Sequence, residues 1–435
     1  MKKVAIHTLG CRANQLESSI ISDKFLTLGW QIVKFSEVAD VYVINTCTVT
    51  GKSDNESRYY ARKAKKTNPQ AKIILCGCYT QVSPEEAAQV EEVDLVLGNT
   101  EKLEIAELIT NGDVFEQENK IYVSDIMQKH KFQDKVVFSA SGRTRANIKI
   151  QDGCNYRCSY CIVPYARGKS RSNEPSNIIS QIEKITEQGF QELVLSGIHL
   201  GQWGLDLAPK MHLSDLIKNI EELESLRRFR LSSIDPMEFT DELIETIINS
   251  AKFCRHLHIS LQSGNNEILK AMRRRYSVEY YSDLIEKLAI NIPKISIGSD
   301  IIVGFPGETQ EQFEDTYKNL EKLPISYIHV FSYSKRKGTP AGLMENQIPE
   351  EIKKERNKKL TELAKKKNLD FRKSFIGKNL EMLVELTRDK KSGLLKGVTD
   401  NFIPVLVEGP DEFKNKIMKV RIKEIKDDKT FGEFI

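Results

Sequence analysis

The chain has 435 residues, 40% of them hydrophobic, which is enough for two or three domains with apolar cores. No long apolar stretch follows the start MKKVAIHTLGC, and no segment approaches the roughly 20 apolar residues that a membrane helix needs. We therefore expect no secretory signal, no membrane span and a cytoplasmic location. The net charge of +4 decides little, but eight cysteines in such a chain argue against disulfides and favour metal or redox chemistry.

The first hundred or so residues alternate short apolar strands with helical patterns. The predicted strands cover residues 4–8, 41–45, 72–76 and 95–98, and the predicted helices cover residues 14–28, 53–66 and 84–89. This alternation is typical of a parallel sheet with helices on its faces. A polar stretch over residues 116–142 is then predicted to be a linker.

Three cysteines, Cys11, Cys47 and Cys78, lie just past the carboxyl ends of predicted strands, and we call them the strand-end cysteines. Open α/β sheets gather their ligands on that side, so these residues are expected to meet in space. A buried structural cysteine is the ordinary explanation for any one of them, but three at equivalent strand ends favour a metal cluster. Cys76 and Cys254 are interpreted as structural.

A second βα series follows the linker. Its predicted strands cover residues 146–151, 192–196, 229–233, 257–261, 297–303 and 328–332, and its predicted helices include residues 175–188, 241–250, 278–290 and 310–323. This succession of βα units predicts an open, partial (βα)6 version of the parallel barrel. In such barrels the chemistry gathers at the carboxyl ends of the strands.

A basic helix over residues 350–372 comes next, and residues 353–373 hold ten Lys and Arg against three acidic residues. Residues 52–66 hold six against two. Each run is either a solvated helix face or a surface that contacts nucleic-acid phosphates. The last sixty or so residues carry short β-rich runs between turns, which predicts a small antiparallel β-barrel of nearly balanced charge.

The run GCNYRCSYC places Cys154, Cys158 and Cys161 in a C-x3-C-x2-C spacing after the first strand of the second series, and we call them the motif cysteines. Three thiolates can hold one metal centre but leave it one ligand short. A structural zinc site closes with four protein ligands, and a 4Fe–4S cluster normally takes four cysteines. A cluster held by three cysteines has an exposed iron that can bind a substrate.

This run resembles the signature of the radical S-adenosylmethionine (SAM) enzymes, in which the open iron chelates SAM. TLGCRANQLES, VINTCTVT and GCYTQ, which surround the strand-end cysteines, resemble the amino-terminal domain of the methylthiotransferases. GCNYRCSYCIVPYARGKSRS, ISLQSGN and IGSDIIVGFPGET resemble the radical SAM domain of that family. The terminal segment resembles a TRAM domain, a small RNA-binding barrel of tRNA-modifying enzymes.

Three branches of the family differ in substrate: isopentenyl-adenosine in tRNA, an aspartate of a ribosomal protein, and N6-threonylcarbamoyladenosine beside the tRNA anticodon. CRANQLES, GCYTQ, RLSSIDPMEF and KRKGTPA most resemble the third branch, which usually has GCYAQ where this chain has GCYTQ. The other two branches stay open as alternatives. A different class also stays open, a zinc-containing RNA-binding protein that is not an enzyme.

The resemblance implies two 4Fe–4S clusters and SAM as cofactors. The cluster on the motif cysteines would cleave SAM to a radical, and this radical would remove the hydrogen from adenine C2. No side chain can usefully deprotonate that carbon, so the chemistry needs a cofactor. The second cluster, on the strand-end cysteines, would supply the sulfur, methylated by another SAM. The implied partners are tRNA and a reducing electron donor such as a flavodoxin or ferredoxin, with no membrane.

Further residues are implied by the same resemblance. The implied SAM contacts are Tyr160 before the last motif cysteine, Ser196 and Gly197 for the SAM amino group, and Ser260, Gln262, Asp300 and Val303 for the ribose and adenine. An ordinary strand-end hydrogen bond is the alternative for each polar residue.

Residues 273–275, all arginine, face RNA phosphate or the threonyl carboxylate, or end a solvated helix. His199 and His258 are interpreted as satisfied histidines, and Gly153 as a tight backbone position.

The predicted fold class is therefore α/β, in three domains. Residues 1–115 form the amino-terminal open parallel α/β domain with the auxiliary cluster, and residues 116–142 form the linker. Residues 143–373 form the partial radical SAM barrel with its basic terminal helix. Residues 374–435 form the TRAM-like, RNA-binding β-barrel.

Overall fold

The structure is a computed structural model that describes residues 1–112, 114–129, 131–133 and 144–435. The chain divides into two compact units. Unit 1 comprises Met1–Ala140, Gln151–Asn173 and Ser334–Leu343. Unit 2 comprises Ser141–Ile150, Glu174–Tyr333 and Met344–Ile435. All six cysteines of the two sets therefore belong to unit 1.

The elements alternate between strands and helices for most of the chain. The strands of the described residues are β1 (Lys3–Thr8), β2 (Gln31–Val33), β3 (Val41–Thr46), β4 (Lys72–Gly77), β5 (Leu95–Leu97), β6 (Ile121–Tyr122), β7 (Ala146–Lys149), β8 (Gln151–Asp152), β9 (Arg171–Ser172), β10 (Glu192–Ser196), β11 (Arg228–Leu231), β12 (His256–His258), β13 (Ser296–Val303), β14 (Tyr327–Ser332), β15 (Asn379–Arg388), β16 (Leu395–Thr399), β17 (Pro404–Val407), β18 (Ile417–Lys426) and β19 (Lys429–Phe434). The α-helices of the described residues are α1 (Arg12–Thr27), α2 (Gly51–Thr67), α3 (Cys78–Val82), α4 (Pro84–Ala88), α5 (Ile105–Asn111), α6 (Val163–Arg167), α7 (Pro175–Glu187), α8 (Leu213–Glu221), α9 (Asp241–Asn249), α10 (Asn266–Ala271), α11 (Val278–Asn291), α12 (Gln310–Lys322), α13 (Pro340–Leu343) and α14 (Glu350–Lys373).

The main sheet of unit 1 runs in the order β2-β1-β3-β4-β5-β6, and its described strand pairs are all parallel. Every residue of β3 is buried, because apolar helix faces cover both sides of the sheet. Helices α1 and α5 pack on one side, and α2 and α4 pack on the other. This confirms the parallel α/β sheet that the alternating pattern predicted.

Strand β6 lies within the stretch that the sequence predicted to be a linker. Its two residues pair with β5, Ile121 opposite Val96 and Tyr122 opposite Leu97. Their side chains pack against the cores on opposite faces of the sheet, which is why this polar stretch contributes a strand. This part of the predicted linker therefore belongs to the sheet. Residues 130 and 134–142 of the prediction lie outside the described residues.

Unit 2 contains the six predicted strands of the second βα series. They form two parallel three-stranded sheets, β11-β10-β7 and β12-β13-β14. Parallel bridges between Phe229 and Phe253 and between Ile234 and Ile259 continue one sheet towards the other. Helices α7, α8, α9, α11, α12 and α14 bury their apolar faces against these strands. The partial barrel predicted from the sequence is confirmed.

The carboxyl-terminal part of unit 2 is a closed barrel in the order β15-β16-β17-β19-β18. Its strands pair antiparallel except β17 with β19, which pair parallel and close the barrel. The predicted barrel is thus present, with a terminal strand, β19, that the sequence pattern did not reveal. Among the described residues, none of the helices combines the length and apolarity that crossing a bilayer requires.

Candidate functional site

The three strand-end cysteines lie at the carboxyl edge of the unit 1 sheet. Cys11 is the N-cap of α1, Cys47 directly follows β3, and Cys78 begins α3 directly after β4. A Cβ atom added at Gly10 would lie 2.7 Å from the Cys47 Sγ, so the turn before Cys11 touches Cys47. Burial raises the pKa of Cys47 to about 11, and the nearby Cys78 and Cys11 add to that rise. The structure therefore brings these three thiols together.

Glycine is required at Gly77, where β4 leads into Cys78. Its φ of +108° is a conformation that side-chain-bearing residues rarely adopt. An added Cβ would lie 2.7 Å from the Asn45 Oδ1 and 2.8 Å from the Thr46 carbonyl oxygen. The ends of β3 and β4 can therefore approach closely, which sets Cys78 beside Cys47.

The motif cysteines occupy the loop between β8 and α6, and β9 returns to pair with β8. The loop is closed by its own backbone, because the Cys154 amide donates to the Gly168 carbonyl at 3.0 Å. Gly153 has a φ of +75°, and a Cβ there would lie 1.9 Å from the Lys169 carbonyl oxygen. The tight position predicted at Gly153 thus results from contact between two backbone segments of the loop.

The strand-end cysteines and the motif cysteines each supply three thiols. This donor composition suits an iron–sulfur cluster with one open iron. Their spacing differs from that of a single-ion site. Of the residues that the structure describes, only His258, Asp300 and His329 bring three potential metal-ligand atoms (His nitrogen, Cys sulfur or carboxylate oxygen) within 4.8 Å of one another. Sulfur atoms bound to one zinc ion lie about 3.8 Å apart, whereas a 4Fe–4S cluster takes each thiolate on its own iron. Each set therefore offers the three thiols that a cluster with one open iron takes.

A buried polar network lies beside the strand-end cysteines. The guanidinium of Arg167, on α6, donates to Glu17 on α1 at 2.7 and 3.0 Å and also to the Asn14 Oδ1. Asn14 in turn donates to the carbonyls of Leu9 and Thr46, each at 2.8 Å. Those carbonyls belong to the two turns that present Cys11 and Cys47.

Two more side chains complete this network. Lys102 is fully buried, and its Nζ lies 2.6 Å from the Glu17 Oε2. The Asn99 Nδ2 lies 3.6 Å from the Cys78 Sγ and donates to the Ala166 carbonyl at 2.7 Å. Our sequence reasoning missed these residues. A usable signal was the polar pair Asn14 and Glu17 in helix α1, because buried polar groups need partners.

The segment 334–343 joins both cysteine loops from a distant part of the sequence. The Arg336 guanidinium donates to the Thr48 Oγ1 at 2.6 Å and to Asp54, next to the Cys47 turn. The Ala341 amide donates at 2.8 Å to the carbonyl of Ser159, inside the motif loop. The KRKGTPA sequence therefore has a structural role at both sets.

Comparison with known proteins decides the family. Residues 148–320 match the Radical SAM superfamily, and residues 3–98 match the uncharacterized protein family UPF0004. The threonylcarbamoyladenosine tRNA methylthiotransferase MtaB of Bacillus subtilis (strain 168) is 38% identical over 440 residues, covering 100% of this chain and 97% of that protein. Its namesake from Aquifex aeolicus (strain VF5) is 41% identical, with coverages of 97% and 100%. The chain belongs to the radical SAM methylthiotransferase family.

A solved structure agrees with this family at the level of the fold. The radical SAM methyltransferase TsrM from Kitasatospora setae, with cobalamin and a 4Fe–4S cluster bound, has a TM-score of 0.59 and 16% identity. The match covers 79% of this chain and 77% of that one. Membership in the radical SAM superfamily implies SAM and one 4Fe–4S cluster as cofactors of this methylthiotransferase.

The SAM contacts predicted for this methylthiotransferase fall on both units. Tyr160 lies in the motif loop of unit 1, and the other six residues lie in unit 2. Ser196 ends β10 and its hydroxyl donates to the Ile148 carbonyl at 3.1 Å, and Gly197 follows directly. Val303 ends β13 with its side chain fully buried in the apolar core. The structure does not test these assignments, which stay predictions.

Asp300 and Ser260 belong to a hydrogen-bonded group on β12, β13, β14 and the residues directly after β12. The Ser260 hydroxyl donates to Asp300 at 3.0 Å, and the carboxylate lies 3.0 Å from the His258 Nε2 and 3.2 Å from the His329 Nδ1. Burial acts to raise the pKa of Asp300, but the two histidines outweigh it and hold that pKa well below its usual range. Gln262, with a φ of +69°, continues this edge, and its amide donates to the Asp300 carbonyl.

Two further sequence predictions can be compared with the geometry: a satisfied His199, and arginines at residues 273–275 that either face RNA or substrate or end a solvated helix. His199 lies 2.8 Å from the Glu238 carboxylate, and both side chains are buried. Arg274 is mostly buried, pairs with Asp235 and donates to the Tyr276 hydroxyl at 3.0 Å. Its neighbours Arg273 and Arg275 are exposed.

Proposed function

We propose that the protein converts N6-threonylcarbamoyladenosine beside the anticodon of tRNA to its 2-methylthio derivative. The observation that carries this proposal is the presence of two three-cysteine sets within one compact unit. Replacement of a carbon-bound hydrogen by a methylthio group needs one centre for hydrogen removal and another for sulfur. The names of the Bacillus and Aquifex relatives support the threonylcarbamoyladenosine branch.

Each cysteine set has its own role in this proposal. The motif cysteines hold the cluster that binds SAM, and the strand-end cysteines hold a second 4Fe–4S cluster. When bound, these groups supply a SAM-derived radical and a sulfur source, chemistry that no side chain of the chain provides. The chain positions both sets, with Tyr160, Ser196, Gly197, Ser260, Gln262, Asp300 and Val303 as proposed SAM contacts. A flavodoxin or ferredoxin supplies the electrons.

The tRNA is held by basic and barrel surfaces of unit 2. Three basic residues of α14 are buried and engaged with acidic partners, Lys353 with Glu350, Arg356 with Glu308 and Arg372 with Asp428. The exposed lysines of this helix are therefore the ones available to phosphates, namely Lys354, Lys358, Lys359, Lys365, Lys366 and Lys373. We assign RNA contact to them and to the terminal barrel, which resembles a TRAM domain.

The substrate is tested with purified, anaerobically reconstituted protein, SAM, a reductant and tRNA that carries N6-threonylcarbamoyladenosine. We expect mass spectrometry of the digested tRNA to show its 2-methylthio derivative. Two matched controls are tRNA that carries isopentenyl-adenosine and a ribosomal protein with the target aspartate. Methylthiolation of either control in place of the expected nucleoside would assign the protein to that branch.

Metal analysis separates the enzyme from the zinc-containing RNA-binding alternative. Protein purified under anaerobic conditions should be brown and contain close to two clusters' worth of iron and sulfide. Colourless protein with stoichiometric zinc contradicts both clusters and the proposed reaction.

A further inference from the structure

Arg167 is a buried cation with no role in the proposed chemistry so far. Its side chain is 2% exposed, and it sits six residues after the last motif cysteine, at the end of α6. Its guanidinium donates to three acceptor side chains in unit 1: Glu17, Asn14 and Asp152. A fixed, buried guanidinium in such a place needs these partners to offset its desolvation.

The network of Arg167 reaches the turns of all three strand-end cysteines. The Asn14 Oδ1 accepts a hydrogen bond from the Arg167 guanidinium. The Asn14 Nδ2 therefore points the other way and donates to the carbonyls of Leu9 and Thr46. The Thr46 hydroxyl accepts from the amide of Tyr79, the residue after Cys78. Arg167 therefore orients Asn14, which holds the Cys11 and Cys47 turns, and Thr46 links the Cys47 turn to the residue after Cys78.

The charge of Arg167 is also close to the strand-end thiols. Burial acts to lower the pKa of Arg167, but Glu17, Cys78, Asp152 and Cys11 together hold it well above the ordinary value. Asn99 bridges α6 and Cys78, because its amide group donates to both the Ala166 carbonyl and the Cys78 sulfur. The guanidinium therefore stays charged beside this set.

We propose that Arg167 is a positioning residue for the auxiliary cluster, whose positive charge, held in place by Glu17, raises the reduction potential of that cluster. The inference rests on the proposed binding of a second cluster to the strand-end cysteines. Reduction adds negative charge to a cluster, so a fixed cation nearby favours the reduced form and a fixed anion disfavours it. Arg167 and Glu17 therefore act on the potential with opposite signs.

The test uses the full chain with Cys154, Cys158 and Cys161 replaced by alanine, so that only the strand-end set binds a cluster. Redox titration followed by EPR gives the midpoint potential in this background and after adding Arg167→Met, Arg167→Lys or Glu17→Gln. We expect a more negative potential for Arg167→Met, a smaller shift for Arg167→Lys and a more positive potential for Glu17→Gln.

Arg356→Met is the matched control, because Arg356 forms a similar buried pair with Glu308 in unit 2. It should leave the midpoint potential unchanged. Equal potentials in all variants, or shifts of the same sign for Arg167→Met and Glu17→Gln, overturn the inference. If Arg167→Met does not fold by circular dichroism, Arg167→Lys decides: a more negative potential supports the inference, and an unchanged or more positive potential overturns it. A background that binds no iron instead overturns the second cluster of the proposed function.

Discussion

The motif cysteines lie within one loop of eight residues, whereas the strand-end cysteines come from three turns between residues 11 and 78. The loop closes on itself through a backbone contact between residues 153–154 and 168–169. The three turns are held by the sheet and by a buried network around Glu17 and Arg167. One cysteine set is thus encoded locally, and the other depends on the tertiary structure of unit 1.

This difference teaches where each site is vulnerable. A local loop keeps its cysteine spacing as long as a few backbone contacts persist. A site assembled from three strand ends loses its geometry when any one of the turns shifts, because its ligands have no sequence proximity to restore them. Substitutions in the sheet and its network should therefore affect the strand-end set selectively.

The largest expected effect follows replacement of the motif cysteines by alanine. We expect complete loss of reductive SAM cleavage, measured as 5′-deoxyadenosine in the presence of dithionite, while the circular dichroism spectrum stays that of the parent. About half of the bound iron should remain, on the strand-end set. Loss of all iron in a folded variant would show that the second set binds no cluster by itself.

Replacement of the strand-end cysteines by alanine should separate the two functions. We expect SAM cleavage to continue and methylthio product to disappear, because the proposed sulfur source is removed while the proposed radical source stays. The measurement pairs 5′-deoxyadenosine with the nucleoside profile of the same reaction. Absence of SAM cleavage in this variant, if folded, contradicts separate roles for the two sets.

The sequence indicates the two cysteine sets but not the buried network beside them, and the reason is physical. The motif cysteines were recognisable from spacing alone, and the strand-end cysteines from their position after predicted strands. Arg167 and Glu17, by contrast, are 150 residues apart and share no pattern, because tertiary packing alone brings them together. Strands β6 and β19 were not predicted for a related reason. β6 has only two residues in a polar stretch, and β19 mixes polar and aromatic residues, so pairing with neighbouring strands defines them.

Glu17→Gln should destabilise unit 1 by about 3–5 kcal/mol, because it leaves the buried cations Lys102 and Arg167 without their carboxylate. The measurement is thermal unfolding of the apo-protein together with the iron content after reconstitution. Glu308→Gln is the matched control in unit 2, where Glu308 pairs with the buried Arg356. Both variants should lose stability, but only Glu17→Gln should lower the iron bound by the strand-end set.

The smallest expected effect comes from adding a single methyl group at the glycine turns. Gly77→Ala forces a Cβ towards Asn45 and Thr46 at a φ of +108°, at a cost of about 1–3 kcal/mol. We expect less iron at the strand-end set and unchanged SAM cleavage.

Gly153→Ala meets the Lys169 carbonyl and should reduce SAM cleavage instead. Gly29→Ala, with a φ of +80° and open space around the added Cβ, controls for backbone strain alone and should change neither. Equal loss of iron from both sets in Gly77→Ala would mean that the two sites fold as one, against their separate construction.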